Sequence, residues 1–589
     1  MNEMRPLAPE VEVPVLVVGA GPAGLTATLL LHHLGVPALT INRYEWTANT
    51  PRAHYQNQRA VEILRELGIE HDVMAAAGMP DEMIHNVVWA SSLAGTEFAR
   101  LSTCMRTRPQ EYLRASPCRA ANIPQHLFEP VLAKAAMERG ATIRWGQELR
   151  NLSQDAEGAT AAVVDRRTGH EYLVRARYVI GADGARSSVA ESAGITHTGK
   201  AGWAAAVNVW FRADFSRFCA HRPGVLYWIN RPGNDFWIGS GVFVNVKPWN
   251  EWVLSFMYDP WQGEPDLSPS VLASKVRSLA GDDDIDVEIL AASPWQMNAL
   301  VADRMSEGRV HLAGDAAHRH PPSGGLGSNT SMQDVYNLVW KLALTIDGIA
   351  GPDLLNTYDT ERRPVARQVV DRSMQSVGEL GAIAAAIGFT PEQSEPDGWK
   401  AWGELAEPGE TGAAKRAALR EAITLQQYHF CAHGVELGVR YDAGALVRNE
   451  DEASLDAPLH DPQLHYVPTT RAGAHLPHAW VEQNRQRQST LDLAAYGQFT
   501  LFVGHEGARW REAATALASD LGIRLRVCAI GVGLEFADIE GEWARLREVS
   551  ESGCVLVRPD RVVAWRSHTL PTDPHGSLSA ALNKVLGRQ

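Results

Sequence analysis

Cysteine is scarce in this chain: six among 589 residues, at positions 104, 118, 219, 431, 528 and 554. No two are spaced as CxxC and none falls at a metal-ligand spacing, which excludes a disulfide framework and a zinc ribbon. The thiols read as buried groups in a reducing compartment, so a cytoplasmic location is expected. A basic surplus is also missing. Lys and Arg number 55 against 69 Asp and Glu, a net charge of −14, which argues against nucleic acid or an anionic membrane as a partner. No apolar run reads as a membrane span. The longest, Val13 to Val36, is interrupted by Pro14, Pro22, His32, His33 and the glycines at 19, 21 and 24 among others. Met1 to Glu12 lacks the basic-then-apolar order of a signal peptide. There is no internal repeat and no low-complexity tract.

What is present is an ordinary globular composition, 45% hydrophobic and 21% charged, at a length suited to about two to four domains. The most informative stretch is Gly19-Ala20-Gly21-Pro22-Ala23-Gly24, set between the apolar run Val13 to Val18 and the apolar stretch Leu25 to Leu34. Strand, G-x-G-x-x-G turn and helix make a diphosphate cradle. Gly19 allows the tight turn, Gly21 lets backbone approach the pyrophosphate, and Gly24 lets helix pack on strand. Pro22 and Ala23 open the helix, whose free N–H groups and positive dipole end face the phosphates. A second strand, Ala38 to Ile41, completes the βαβ unit. Such strands usually end in an acid that accepts from the ribose hydroxyls. Here Asn42 stands in its place, followed by Arg43, which can lie over the adenine or near a phosphate.

The rest of the chain divides by texture. Residues 11–194 and 297–375 read as the dinucleotide-binding α/β domain, with helices at Arg59 to Leu67, Gln125 to Arg139, Ser331 to Ile346 and Leu354 to Met374. Short aromatic runs at Trp203 to Phe211, Val225 to Ile229, Phe236 to Val244 and Trp252 to Tyr258 predict an inserted antiparallel sheet over 195–296, with part of 89–115. Tyr227-Trp228, Phe236-Trp237 and Trp252 can line an apolar pocket, although alternation sends half of them into the strand core. Residues 376–445 read as helical. Beyond the loop-like Asp442 to Gly473, residues 474–589 read as a small α/β domain of its own.

Two further motifs sharpen this. Gly181-Ala182-Asp183-Gly184 closes a strand, and Gly314-Asp315-Ala316-Ala317-His318 closes another. The latter runs through Pro321-Pro322-Ser323-Gly324-Gly325-Leu326-Gly327-Ser328-Asn329 into a helix bearing Asp334, Asn337 and Lys341. In order and spacing, the first 375 or so residues resemble the flavoprotein aromatic hydroxylases, the single-component FAD and NAD(P)H monooxygenases. Trp46 to His54, Asn57-Gln58-Arg59, Ala220 to Trp228 and His318-Arg319-His320-Pro321-Pro322 resemble the chlorophenol-hydroxylase branch, which carries Asn at the ribose position.

The resemblance implies FAD on the Gly19–Gly24 turn, with NADPH or NADH as co-substrate. Ring hydroxylation of a phenol-like substrate by O2 would follow through a C4a-hydroperoxyflavin. Asp315 is expected to accept from the ribityl chain, and Arg52 and Gln125 to lie near the pyrophosphate and ribityl chain. Asp183 falls in a motif used for both FAD and NAD(P)H; Ala190 stands there where the family often has Arg, which leaves the choice of nicotinamide open. Pro322, Gly325, Leu326, Gly327, Ser328 and Asn329 form the loop expected to aim N–H groups at the flavin edge where reduced flavin gathers charge.

His54 occupies the position of a catalytic Asp in phenol-hydroxylase relatives, and an imidazole with a pKa of about 6.5 suits proton exchange with a phenol at neutral pH. The alternative is a loop histidine bonded to backbone. Tyr227 can bond the substrate hydroxyl or pack in the core. His318 and His320 lack metal-site partners, so no metal is expected. A hydroxypyridine or larger natural-product intermediate remains open as substrate. So does a flavin-binding protein without oxygenase activity; the Trp-x-Trp-x-Ile-Pro motif of flavin halogenases is absent. The C-terminal region resembles the thioredoxin-like domain of phenol hydroxylases without its CxxC, which implies a structural or subunit-contact role and a homo-oligomer.

Overall fold

In the computed structural model, residues 9–232, 239–391, 393–449 and 460–588 are described. The run Phe236-Trp237, read above as strand and pocket lining, lies outside them.

The dinucleotide domain is built on five parallel strands in the order Val310–Leu312, Glu171–Gly181, Val11–Val18, Ala38–Asn42 and Thr142–Trp145. Val15 to Val18 are at most 5% exposed, as expected for a parallel strand covered on both faces. The helix Pro22–His33 packs on them, buried from Ala23 to Leu31. A two-strand extension, Gln147–Gln154 and Ala159–Asp165, joins through Glu171–Gly181. It was not expected, because Asn151, Ser153 and Gln154 break the apolar pattern on its solvent side.

The second sheet has eight strands, in the order His318–Arg319, Glu288–Ala302, His197–Arg212, Glu251–Tyr258, Gly241–Lys247, Leu226–Ile229, Asn86–Ala90 and Glu97–Ser102. Its long central strands pair from His197↔Ala302 to Arg212↔Glu288. One strand therefore runs through residue 297, where composition suggested a domain boundary. Pro294 and a polar run hid this strand from a period-two reading.

The helix Asn356–Ile387 and the shorter helices Glu395–Gly403, Glu410–Leu425 and Gln427–Phe430 cover one face of that sheet, while His433–Leu437 packs against the helix Gln58–Glu66. Among the described residues no helix is long and apolar enough to cross a membrane.

In the C-terminal region the order is Leu525–Ala529, Phe499–Val503, Cys554–Val557, Val563–Ser567, the first pair parallel and the others antiparallel. With the helices Ala508–Leu521 and Pro574–Val585 this is a thioredoxin-like unit. Its core is continuous with that of the dinucleotide domain. Phe499, Trp510 and Leu578 share one continuous core with Leu25, Leu338 and Trp340, and the Trp340 and Phe499 rings meet edge-on at 6.2 Å.

Candidate active site

The glycine turn has the form its spacing requires. Gly19 has φ +105°, and a Cβ there would stand 2.2 Å from the Ala182 carbonyl oxygen. A Cβ on Gly24 would stand 1.8 Å from the Gly19 oxygen. Gly21 differs: the nearest atom to its Cβ position is Glu129 Oε1 at 3.7 Å. The first and third glycines are demanded by packing, and the second leaves an open face. The helix behind it starts at Pro22 with no side-chain cap, so its N–H groups remain available for an anion.

The other expected contacts gather around this face to different degrees. Gly314 packs on Ala23, with 3.5 Å between a Cβ placed on Gly314 and the Ala23 Cβ. That brings the exposed Asp315 to the end of the cradle. Asn42 turns its amide NH2 toward the Tyr44 and Trp46 carbonyls at 3.5 and 3.4 Å, which leaves its carbonyl as the acceptor. The Arg43 guanidinium lies 5.0 Å over the Tyr44 ring. Arg52 is exposed, and its carbonyl accepts from Gln125 N at 2.7 Å. Asp183 is engaged internally: it accepts from Ser187 Oγ at 2.5 Å and Val189 N at 3.2 Å, and burial raises its pKa. Its observed role is to hold the turn behind Gly19.

The proline-glycine loop is pinned from three sides. Asn329, read as a cofactor contact, spends its amide on the Tyr55 and Gly325 carbonyls at 2.9 and 2.6 Å and accepts from Asn57 N at 2.9 Å. Ser328 accepts from Gln56 at 3.2 Å, and the Leu326 side chain is buried beside Val365 and Val369. These side chains shape the loop, and Gly325 N donates to the Pro322 carbonyl at 3.1 Å, so the N–H groups left for a cofactor are those at the helix start from Gly327. The helix begins at Gly327, not Ser331, which puts its N-terminus inside the loop.

His54 lies on the segment 52–56, which pairs with 121–125 through Ile123 N to His54 O at 2.7 Å and Tyr55↔Asn122. Its Nδ1 has no hydrogen-bond partner. Burial, helped by His126, lowers its pKa to about 3. The expected value near 6.5 therefore does not apply: the ring is neutral and can accept a hydrogen bond. Tyr227 is a correction. It is 0% exposed, its hydroxyl donates to the Arg222 carbonyl at 2.9 Å, and burial raises its pKa. It belongs to the sheet core with Phe211, Phe243 and Trp252.

Three buried groups carry more of the site than sequence suggested. Glu129 accepts from Ala48 N at 2.6 Å and from the Gln125 amide, facing Gly21. Its signal was an acid on the apolar face of a helix. Asp334 accepts from Gly314 N at 3.0 Å, His318 Nε2 at 2.7 Å and Arg362 Nε at 2.9 Å, and so holds the turn that carries Asp315. Arg362, from a distant helix, had no signal. Among the described residues no group of three or more His, Cys, Asp or Glu is placed to hold a metal.

A family described as FAD binding domain matches residues 12–373, and one described as aromatic-ring hydroxylase, C-terminal, matches residues 469–589. The chain belongs to the FAD-dependent aromatic-ring hydroxylases. It is 43% identical to the 2,4-dichlorophenol 6-monooxygenase of Cupriavidus pinatubonensis (strain JMP 134 / LMG 1197), over 99% of this chain and 98% of that one. It is 42% identical to the phenol 2-monooxygenase of Pseudomonas sp. (strain EST1001), over 97% and 93%. Its structure matches that of the flavin-dependent monooxygenase PieE in complex with FAD and substrate, with TM-score 0.94, 45% identity and coverage of 99% and 100%. This hydroxylase is an FAD-dependent monooxygenase with NAD(P)H as its reductant. The open face over Gly21, the uncapped helix and the adjacent Asp315 fit the cofactor.

Proposed function

We propose that this hydroxylase adds one oxygen atom to the ring of a phenol-like substrate. The observation that carries this reading is the neutral, unpartnered His54 imidazole, on a segment whose neighbours Tyr55 and Gln56 contact the proline-glycine loop. Bound FAD, reduced by NAD(P)H, supplies the oxygen-activating chemistry.

The protein's part is binding, orientation and proton control. The Gly21 face and the first helix take the pyrophosphate, Asn42 the ribose, and Asp315 the ribityl chain. Backbone N–H groups at the helix start from Gly327 face the charge-gathering edge. His54 accepts a hydrogen bond from the substrate hydroxyl at Nδ1, which raises the electron density of the ring. A base with so low a proton affinity polarises that bond without taking the proton, which leaves to solvent.

All six cysteines are free and buried, which supports a reducing, cytoplasmic setting, and a homo-oligomer is proposed on the family resemblance of the C-terminal region. The deciding experiment is NAD(P)H consumption under labelled oxygen with phenols and hydroxypyridines, read by product mass. NAD(P)H oxidation without oxygen incorporation for any of them would refute the reading.

A further inference from the structure

All six cysteines are free and buried, but two of them, far apart in the chain, meet. Cys104 opens the helix Cys104–Thr107, just past the edge strand Glu97–Ser102. Cys431 directly follows the short helix Gln427–Phe430. The Cys104 thiol and the Cys104 backbone N–H both donate to Cys431 Sγ, which also lies 4.0 Å from the Ser102 carbonyl oxygen. Arg108 ties the two backbones together. Its amide donates to the Cys104 carbonyl at 2.8 Å and its guanidinium to the Cys431 carbonyl at 3.2 Å. Thiols already held in contact can close a disulfide by small side-chain rotations.

The pair is also polarised. The Cys104 hydrogen bond, with Arg108 behind it, outweighs burial and holds the Cys431 thiol below its ordinary value. The same contact, together with burial, pushes Cys104 up. Burial pushes Cys118, Cys219, Cys528 and Cys554 up as well, so Cys431 is the most nucleophilic of the six. Its location supplies an oxidant. The pair shares a cluster with Tyr55, Tyr112 and Phe430. Tyr55 follows His54 and stands 3.2 Å from where a Cβ on Gly325 would lie. One side chain thus separates the thiols from the loop expected at the flavin edge. A flavin monooxygenase that reduces O2 without hydroxylating releases hydrogen peroxide, which is small and uncharged enough to enter a packed interior.

We propose that Cys104 and Cys431 are a peroxide-sensing thiol pair, whose oxidation to a disulfide slows turnover when hydroxylation fails. The Cys431 thiolate attacks one oxygen of the peroxide. The O–O bond breaks, and hydroxide leaves with the thiol's proton as water. The Cys104 sulfur then attacks the Cys431 sulfenic acid; the S–S bond forms, the S–O bond breaks, and a second water departs. The two thiols have lost two electrons and the peroxide has become two waters. The new bond pins the helix Gln427–Phe430 to the edge of the second sheet. That helix borders the proline-glycine loop, with the His429 carbonyl 3.8 Å from where a Cβ on Gly324 would stand. The loop then loses the freedom to adjust during turnover.

The test treats FAD-loaded enzyme with hydrogen peroxide and follows intact mass and the rate of NAD(P)H oxidation in air. Wild type should lose about 2 Da, yield a peptide joining Cys104 to Cys431, and slow severalfold. Dithiothreitol should restore both mass and rate. Cys431→Ser should oxidise NAD(P)H as untreated wild type does and keep that rate after peroxide. Cys104→Ser lacks the resolving thiol, so Cys431 should stop at the sulfenic acid, gaining about 16 Da and reacting with dimedone. Unchanged mass, oxygen gained by wild type without the joined peptide, or a joined peptide at undiminished rate would overturn the proposal. So would a Cys431→Ser enzyme slowed as strongly as wild type. Should a serine variant fail to fold, the joined peptide and the thiol-reversible rate of wild type decide by themselves.

Discussion

Arg558 of the C-terminal region grips Glu361 of the long helix in a two-point pair, Nη1 to Oε1 at 2.7 Å and Nη2 to Oε2 at 2.6 Å, with both side chains fully buried. Lys341 adds a bond to the same carboxylate at 2.8 Å, Asn337 another at 2.6 Å, and Asp560 holds Arg558 from behind at 2.7 Å. Burial opposes the charge on Glu361, but Arg558 and Lys341 outweigh it and hold the carboxyl well below the usual range. The next residue, Arg362, holds Asp334, and Asp334 holds the Gly314 turn. A chain of buried charge thus joins the C-terminal region to the cofactor site.

Removing Arg558 should therefore be costly. Arg558→Ala takes the cation from the buried Asp560 and leaves Glu361 to Lys341, and should destabilise the enzyme by about 3–5 kcal/mol, visible as a large fall in Tm. Ending the chain near Ala472 should do worse, because it uncovers Trp340 and the shared core; an insoluble product is expected. A stable, FAD-binding fragment would show that the two parts are energetically independent.

The three glycines of the turn should separate cleanly. Gly24→Ala forces backbone apart and should lower both stability and FAD binding. Gly21→Ala meets no protein atom closer than 3.7 Å, so it should fold with nearly unchanged Tm while FAD affinity falls at least about tenfold. Thermal melts of apoprotein alongside FAD titration decide this.

Asp315 is exposed, so Asp315→Ala should leave the apoprotein's stability alone. It should weaken FAD retention by about 1–3 kcal/mol. Unchanged affinity would assign the ribityl contact elsewhere.

His54→Ala should keep FAD and its reduction, yet give less hydroxylated product per NAD(P)H, with the difference appearing as hydrogen peroxide. The loss should be that of one hydrogen bond to the substrate hydroxyl, about tenfold at neutral pH, and should shrink as pH rises toward the substrate's own pKa. Because His54 in the folded protein titrates near 3, no inflection near pH 6.5 should appear in the wild-type profile.

Acid should destabilise this protein early. Burial holds His54 and His429 down to about 3 and His311, His475 and His478 to about 4, whereas unfolded histidines titrate near about 6.5. Between those values the unfolded chain binds protons that the folded one refuses. Stability is therefore full above about pH 6.5 and falls steadily as pH drops toward 4. Urea midpoints measured from pH 8 to 5 should decline; a flat profile would contradict the burial of these rings.

The cradle was legible in the sequence because its determinants are local. A strand, three glycines and a helix within 24 residues specify a turn by backbone sterics alone, and Asp315 and the proline-glycine loop are contiguous too. The same local reading placed Tyr227 in a catalytic role and missed the strand Glu288–Ala302. Whether a strand residue faces the core or a pocket depends on which elements cover each face, and a strand paired on one side only at Pro294 tolerates a proline that spoils its pattern. Only the tertiary structure decided that His54 is neutral, that Glu129 faces Gly21, and that Asp334 reaches Arg362 and Glu361 reaches Arg558. Proton affinity and ion pairing depend on burial and on distant partners, such as Glu361 and Arg558, 197 positions apart. Those are properties of the packed interior, and no spacing along the chain encodes them.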